Sequence, residues 1–184
     1  MSQRLSQVVN EIREISRDAN DTFGRLSADQ INWKPAVGSW SVGQCLDHLI
    51  RTNSQFYPEF AKLTSGTRKN SFWENYSPFT GVVGRFAISS FKKDSRKIKA
   101  PSKAIVPPSE IEPDIVSRYV AHQDEVIESI IATASVDWKN TVLTSPFFRV
   151  MTYTLDDAYT IFVEHALRHI RQARRVMENE GFPK

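Results

Sequence analysis

Two histidines and a glutamine lie one helical turn apart near the C-terminus, in the segment HALRHIRQ at positions 165–172. His165 and His169 are four residues apart, so in a helix their side chains lie on the same side, about 6 Å from each other. At that separation both imidazoles can turn a ring nitrogen onto one ion, with bonds of about 2.0–2.1 Å. The spacing therefore indicates a metal site, with Gln172 on the same face.

Positions counted by sevens place these side chains on the buried side of their helix. His169 shares a line with Leu155 and Phe162. His165 and Gln172 share the adjacent line. Two buried imidazoles repel each other when protonated and need hydrogen-bond partners when neutral, so their burial costs free energy unless something binds both. Metal ligation is therefore favoured over the alternative, a pair of hydrogen-bonded core residues.

A third histidine can reach the same interior from an earlier helix. His48 lies beside the apolar line of Val42, Leu49 and Phe56. A single histidine on an apolar stripe is more often a hydrogen-bonded core residue. Together with the later pair, however, His48 completes a set of three imidazoles. Such a set leaves coordination positions open, as in a catalytic metal site, and a water or thiol bound there has a lowered pKa.

Three other side chains are assigned lesser roles. Gln172 is placed either to hydrogen-bond a ligand or substrate, or to satisfy a backbone group in the interior. Cys45, one turn before His48, is interpreted as a small buried hydrophobe and not as a nucleophile. His122 lies at the border of the apolar stripe of its helix and is interpreted as a boundary residue, with metal ligation as the alternative.

Four long helical segments position these residues. Apolar residues spaced three and four apart mark each segment, and capping-box patterns begin two of them, at Ser41 and Thr154. The predicted helices run from about Ser2 to Leu26, from Ser41 towards Lys62, from Pro113 to before Asp137, and from Leu155 to about Asn179.

A long crossover, residues 64–110, joins the second and third helices. Prolines 78, 101, 107 and 108 and glycines 66, 81 and 84 interrupt it, so any helix inside it, expected near Thr80 to Ser90, must be short. Residues Ser145–Thr154 are interpreted as a loop. Four long helices with one long crossover predict an all-α four-helix bundle, a single domain over residues 1–184, whose interior can hold metal and ligand sites.

Composition excludes several classes of protein. A chain of 184 residues can bury a sufficient core without a metal, and a net charge of +3 does not indicate a polyanionic partner. The basic run Phe91–Lys103 lacks interleaved aromatic residues and is expected to be a solvated loop, so no nucleic-acid partner is expected. No apolar run approaches the ~18 residues of a membrane helix. The single cysteine, Cys45, and the polar N-terminal segment indicate a cytoplasmic protein.

Four aromatic residues in the crossover are expected to cover the end of the bundle: Phe72, Trp73, Tyr76 and Phe79.

Two motifs, in this order and at this distance, resemble a known family. The first is W-S-x-G-x-x-x-x-H, from Trp40 to His48, and the second is H-x3-H-x2-Q, from His165 to Gln172. Together with SPFFRVMTYTLDDA before the last helix, they make the chain similar to the DinB-like (DinB/YfiT) superfamily over nearly its whole length. One departure is Arg149, which stands where the family pattern has a glycine and leaves the conformation of that turn open.

The resemblance implies a four-helix bundle, often dimeric, in which three histidines hold a divalent metal such as nickel or zinc. In this sequence the three would be His48, His165 and His169. It also implies an enzyme of S-transferase type that acts on a small molecule, with a low-molecular-weight thiol as co-substrate. The alternatives are a metal-dependent hydrolase, and a non-catalytic metal-binding bundle that binds a partner. A homodimer is expected, with no membrane partner.

Overall fold

The computed structural model describes residues 2–92 and 102–184, and its core is a four-helix bundle. The prediction of a mostly helical, four-helix-bundle fold is confirmed. The bundle helices are α1 (Gln3–Phe23), α3 (Val42–Ser54), α7 (Ile115–Ala132) and α8 (Leu155–Met177). The shorter elements are α2 (Ala28–Asn32), α4 (Tyr57–Thr64), α5 (Phe72–Tyr76), α6 (Thr80–Lys92), a 3-10 turn (Lys103–Ile105), β1 (Val142–Thr144) and β2 (Thr152–Thr154).

Capping side chains begin the two helices that carry the histidines. The hydroxyl of Ser41 accepts a hydrogen bond from the backbone N–H of Gln44 at 3.2 Å, and the Gln44 side chain returns one to the Ser41 N–H. Thr154 and Asp157 form the same reciprocal pair at the start of α8. Each box satisfies backbone donors that a helix start leaves unpaired. Both starts lie where the sequence predicts them.

The core lies between the four long helices. α1 packs against α7 and α8, and α3 packs against both α7 and α8. Fully buried apolar side chains from all four fill the space between them: Val8, Ala19, Leu46, Leu49, Ile115, Ile130, Leu155 and Ala158. This apolar core is continuous from α1 to α8. Because apolar burial is the main stabilising contribution to folding, we expect the bundle to fold without a bound ion.

Several predicted boundaries differ from the structure. The first helix ends at Phe23 and not at Leu26. The second predicted helix is two helices, because α3 ends at Ser54 and α4 starts again at Tyr57. Pro58 lies in the first turn of α4, where its missing N–H and fixed φ suit a helix start and not a helix interior.

The interpretation of Ser145–Thr154 as a loop is wrong for its last three residues. Thr152–Thr154 form β2, which pairs antiparallel with β1, so that Val142 lies opposite Thr154 and Thr144 opposite Thr152. The β-branched and aromatic residues of this segment favour a strand. The strand runs directly into the Thr154 cap, so the capping pattern marked the start of the helix correctly but did not exclude a strand before it.

The short helix predicted inside the crossover near Thr80 to Ser90 is present as α6 and runs on to Lys92. It packs on α8 and β2. The expectation that the crossover aromatics cover the end of the bundle is wrong, because these side chains are exposed: Phe72, Trp73, Tyr76 and Phe79. Most of the basic run lies outside the described residues, since it includes 93–101. None of the helices in the described ranges is long and apolar enough to cross a membrane.

Candidate metal centre

Two helices bring the three predicted metal-binding histidines together. His165 and His169 lie one turn apart on α8, and His48 faces them from α3. All three are buried, with 4–7% of each residue exposed. Each offers one ring nitrogen, and these three nitrogens lie within 4.8 Å of one another.

The spacing of the three nitrogens fits a small divalent ion. At metal–nitrogen bonds of about 2.0–2.1 Å in tetrahedral geometry, two ligand nitrogens are roughly 3.4 Å apart. The three nitrogens lie within 4.8 Å of one another, so small ring movements would bring them to this separation.

The ring of His48 is held by a contact from the crossover. Its Nδ1 lies 2.7 Å from the carbonyl oxygen of Ile105. A carbonyl oxygen only accepts, so Nδ1 carries the proton and Nε2 keeps its lone pair. A hydrogen bond of this kind fixes the tautomer and orientation of metal-binding histidines. The hydroxyl of Thr52 lies 3.5 Å from that Nε2.

One nitrogen of the cluster is buried without a partner. Nδ1 of His169 has no hydrogen bond within the described parts of the chain. Such an orphaned atom costs free energy, and an ion bound to it would remove that cost. Gln172, which the sequence places on the same face, lies near His169 and raises its pKa against the larger, opposite effect of burial.

Burial keeps the three imidazoles in the form that binds metals. It lowers the pKa of His165 and of His169 well below the ordinary value, and the neighbouring cationic groups lower both further. Burial also lowers the pKa of His48, against opposing effects of the Ile105 hydrogen bond and the Asp47 charge. Neutral imidazole is the ligating form, so no proton has to be displaced at neutral pH.

Two aromatic side chains pack against the imidazole cluster. The indole of Trp40 is stacked on His169, with ring centroids 5.6 Å apart and planes 26° apart, and it also contacts His48 at 4.7 Å. On the other side, the Phe91 ring lies 4.9 Å from His165. The sequence motif included Trp40, but nothing in the sequence indicated Phe91 or Ile105. Both lie in the crossover, and only the tertiary fold brings them to the histidines.

A cavity of about 1510 Å³ opens directly from the cluster. Its walls come from α3, α6, α8, the loop before α3 and the loop between the two strands. Just over half of the lining residues are aromatic or aliphatic, and the others include serines, Thr52, Asn53, Gln172, two arginines and the three histidines. A cavity that combines apolar walls with convergent polar groups is typical of a small-molecule site.

Two sequence-selected residues lie outside this arrangement. Cys45 is fully buried, and burial raises its pKa to about 12, so the thiol stays protonated, as expected of a small buried hydrophobe. His122 is buried rather than at a boundary, which corrects the prediction. It belongs to another cluster, with the Tyr57 hydroxyl 3.3 Å and a Glu125 carboxylate oxygen 3.4 Å from its Nδ1.

Fold and site together define a four-helix bundle with three histidines at the base of an interior cavity. The sequence matches the DinB superfamily over residues 11–173, and the chain belongs to that family. Its fold is similar to that of YfiT from Bacillus subtilis, with a TM-score of 0.59 at 14% sequence identity, covering 100% of this chain and 91% of that one. YfiT is described as "a probable metal-dependent hydrolase with an unusual four-helix bundle topology". No curated protein matches the sequence.

Proposed function

We propose that this chain is a metal-dependent enzyme in which His48, His165 and His169 hold one divalent ion, nickel or zinc. The observation that carries the proposal is the position of three buried, neutral imidazoles at the base of a large cavity. An ion held by three imidazoles keeps coordination positions open and acts as a Lewis acid that lowers the pKa of a thiol or water bound to it.

In this proposal the surrounding residues orient the imidazoles and limit the access of water to the metal centre. The Ile105 carbonyl and the Trp40 ring orient the imidazoles, and Phe91 covers the outer side of His165. Apolar side chains around the reacting groups would exclude water from them, which would strengthen the electrostatic interactions there. A small electrophile bound in the cavity would lie beside a nucleophile at the open coordination positions.

A low-molecular-weight thiol is the proposed nucleophile, which makes the reaction an S-transfer. Among the described residues that line the cavity, the ionisable side chains are histidine, arginine and tyrosine, and none is a carboxylate that could take a proton from water. A free thiol with a pKa near 8.5 is closer to ionising at neutral pH than free water with a pKa near 15.7, and a bound ion would lower the pKa of either. The new bond from sulfur to the electrophile would replace the bond to its leaving group, and the thiol proton and the leaving group would both depart to solvent through the mouth of the cavity.

Cobalt substitution tests the proposal. The chain should take up about one Co²⁺, and a small thiol should then produce a sulfur-to-cobalt charge-transfer band near the ultraviolet. The same thiol should react with an aryl halide faster in the presence of the cobalt protein than with the His165→Ala/His169→Ala variant.

Hydrolysis is the second candidate, favoured by the description of YfiT as a hydrolase. In that case thiols would leave the cobalt spectrum unchanged, whereas small carboxylates or phosphates would perturb it, and activated esters would be cleaved without thiol. If the cobalt protein bound neither class and turned over neither substrate, the chain would be a non-catalytic metal-binding bundle and the enzyme proposal would be overturned.

A further inference from the structure

The hydroxyl of Thr52 is a buried polar group beside the histidine cluster. Thr52 lines the cavity, is 7% exposed and lies one helical turn beyond His48 on α3. Its hydroxyl lies 3.5 Å from Nε2 of His48, and this is its one hydrogen-bonding contact in the described parts of the chain. A distance of 3.5 Å is longer than that of an ordinary hydrogen bond. The hydroxyl is therefore only weakly satisfied, although it is buried.

Other hydroxyls in the helices of this protein bond differently. A serine or threonine within a helix can donate to the carbonyl oxygen four residues earlier. Four side chains do so, with oxygen–oxygen distances of 2.8–3.1 Å: Ser54, Thr64, Ser90 and Thr160. Thr52 makes no such bond to the carbonyl oxygen of His48, and its hydroxyl faces the imidazole of that residue instead.

The tautomer of His48 decides the direction of this contact. Because Nδ1 donates to the Ile105 carbonyl at 2.7 Å, Nε2 carries a lone pair and no hydrogen. The Thr52 hydroxyl is therefore the donor. One lone pair cannot both accept this bond and bind an ion, so an ion on Nε2 removes the acceptor of Thr52. A buried hydroxyl without an acceptor costs free energy, and a new acceptor close by would remove that cost.

We infer that the Thr52 hydroxyl donates a hydrogen bond to the small molecule that binds at the ion, and that it selects molecules that bind there through an anionic atom. The sulfur of a thiolate keeps lone pairs that can accept such a bond, whereas the ligating nitrogen of a neutral imidazole keeps none. Hydrogen bonds to anionic acceptors are also stronger than those to neutral ones. Thr52 would therefore favour the deprotonated form of a thiol. The inference rests on the proposed function, because it requires an ion on His48.

Ligand titrations of the cobalt-loaded, full-length protein test the inference. The probes are β-mercaptoethanol, azide and imidazole, and the visible spectrum of cobalt gives each dissociation constant. Thr52→Val keeps the branched shape of the side chain and removes the donor. It should still allow the uptake of cobalt and should weaken the binding of β-mercaptoethanol and azide about tenfold. Imidazole binding should not change, and a general distortion of the site would weaken all three ligands.

Two control variants separate the hydroxyl group from its surroundings. Thr52→Ser keeps the donor and should bind the three probes as the parent does. Thr64→Val removes a hydroxyl that donates to a backbone carbonyl and does not line the cavity, so it should also match the parent. Parent affinities for both anionic probes in Thr52→Val, or an equal loss of imidazole binding, would overturn the inference.

The outcomes separate this inference from the proposed function. A parent chain that takes up no cobalt would overturn both. A cobalt protein whose ligand affinities do not depend on Thr52 would overturn the inference alone. If azide binds and thiols do not, weaker azide binding by Thr52→Val would support the inference and favour hydrolysis over S-transfer.

Discussion

Two fully buried tyrosines should respond in opposite directions to the loss of their hydroxyl groups. Tyr119 on α7 and Tyr159 on α8 are both 0% exposed. The Tyr159 hydroxyl lies 2.7 Å from the hydroxyl of Thr133, whereas the Tyr119 hydroxyl has no hydrogen-bond partner in residues 2–92 and 102–184. We therefore expect Tyr119→Phe to stabilise the protein and Tyr159→Phe to destabilise it.

The magnitudes follow from the two environments. A buried polar group without a partner costs about 1–3 kcal/mol, so Tyr119→Phe should gain about 1 kcal/mol after the small void that it leaves. In the other pair Thr133 also donates to the Ile130 carbonyl at 2.8 Å, so the Tyr159 hydroxyl is the donor between the two side chains. Tyr159→Phe then removes one hydrogen bond without stranding a donor, a loss of about 1 kcal/mol.

Urea unfolding of the three proteins, followed by circular dichroism, measures the difference. The two variants should differ by about 2 kcal/mol, which corresponds to roughly 4–8 °C in Tm for a chain of this size. Equal destabilisation by both substitutions would refute the reasoning, because it would show that the Tyr119 hydroxyl has a bound partner, such as an ordered water.

Three further predictions concern the metal centre and the surface. The His165→Ala/His169→Ala variant should stay helical yet hold less than a tenth of the roughly one ion per chain expected in the parent; full occupancy by elemental analysis would exclude the assigned ligands. Burial lowers the pKa of both histidines below the unfolded value of about 6.5, so the metal-free parent should be most stable above pH 6.5. As the pH falls from 6.5 towards the lower pKa values of the folded state, its free energy of unfolding should fall by up to about 1.4 kcal/mol per pH unit for each histidine. The double variant should lack that part of the slope in urea titrations at pH 7.5 and 5.0, and an unchanged slope would contradict the assignment. Light scattering should give twice the mass of one chain at micromolar concentration, because Phe72, Tyr76 and Phe79 are 63–70% exposed and suit a homodimer interface. The Phe79→Glu variant should be a monomer. A parent protein that is already monomeric would count against the dimer.

Local sequence signals predicted the helices that carry the site. The capping boxes at Ser41 and Thr154 are short-range patterns, and the spacing of His165 and His169 within one helix depends only on helical geometry. The proximity of His48 was predicted because the apolar stripes of two helices must face the same core. These features could be read from the sequence because each depends on a few neighbouring residues.

Features that depend on distant residues could not be predicted in this way. The Ile105 carbonyl that orients His48 is 57 residues away in the chain, and Phe91 reaches His165 only because α6 packs on α8. Strand β2 needs a partner eight to twelve residues earlier, which a local reading of Ser145–Thr154 cannot supply. The burial of His122 likewise depends on α4, which places Tyr57 over it.

Because β2 runs directly into α8, the histidines on α8 and the cavity wall in the hairpin loop belong to separate parts of the chain. Pairing of β1 with β2 and the Thr154 cap fix the rotational phase of α8, and with it the direction of both of its histidines. Phe147, Phe148 and Met151, which form one wall of the cavity, lie in the loop between the strands. Changes in the length or sequence of that loop can therefore reshape the cavity without turning the imidazoles. If the chain is the metal-dependent enzyme proposed above, changes in this loop would alter which substrates fit the cavity while the three imidazoles stay in place, so a library of loop variants should yield new substrate preferences.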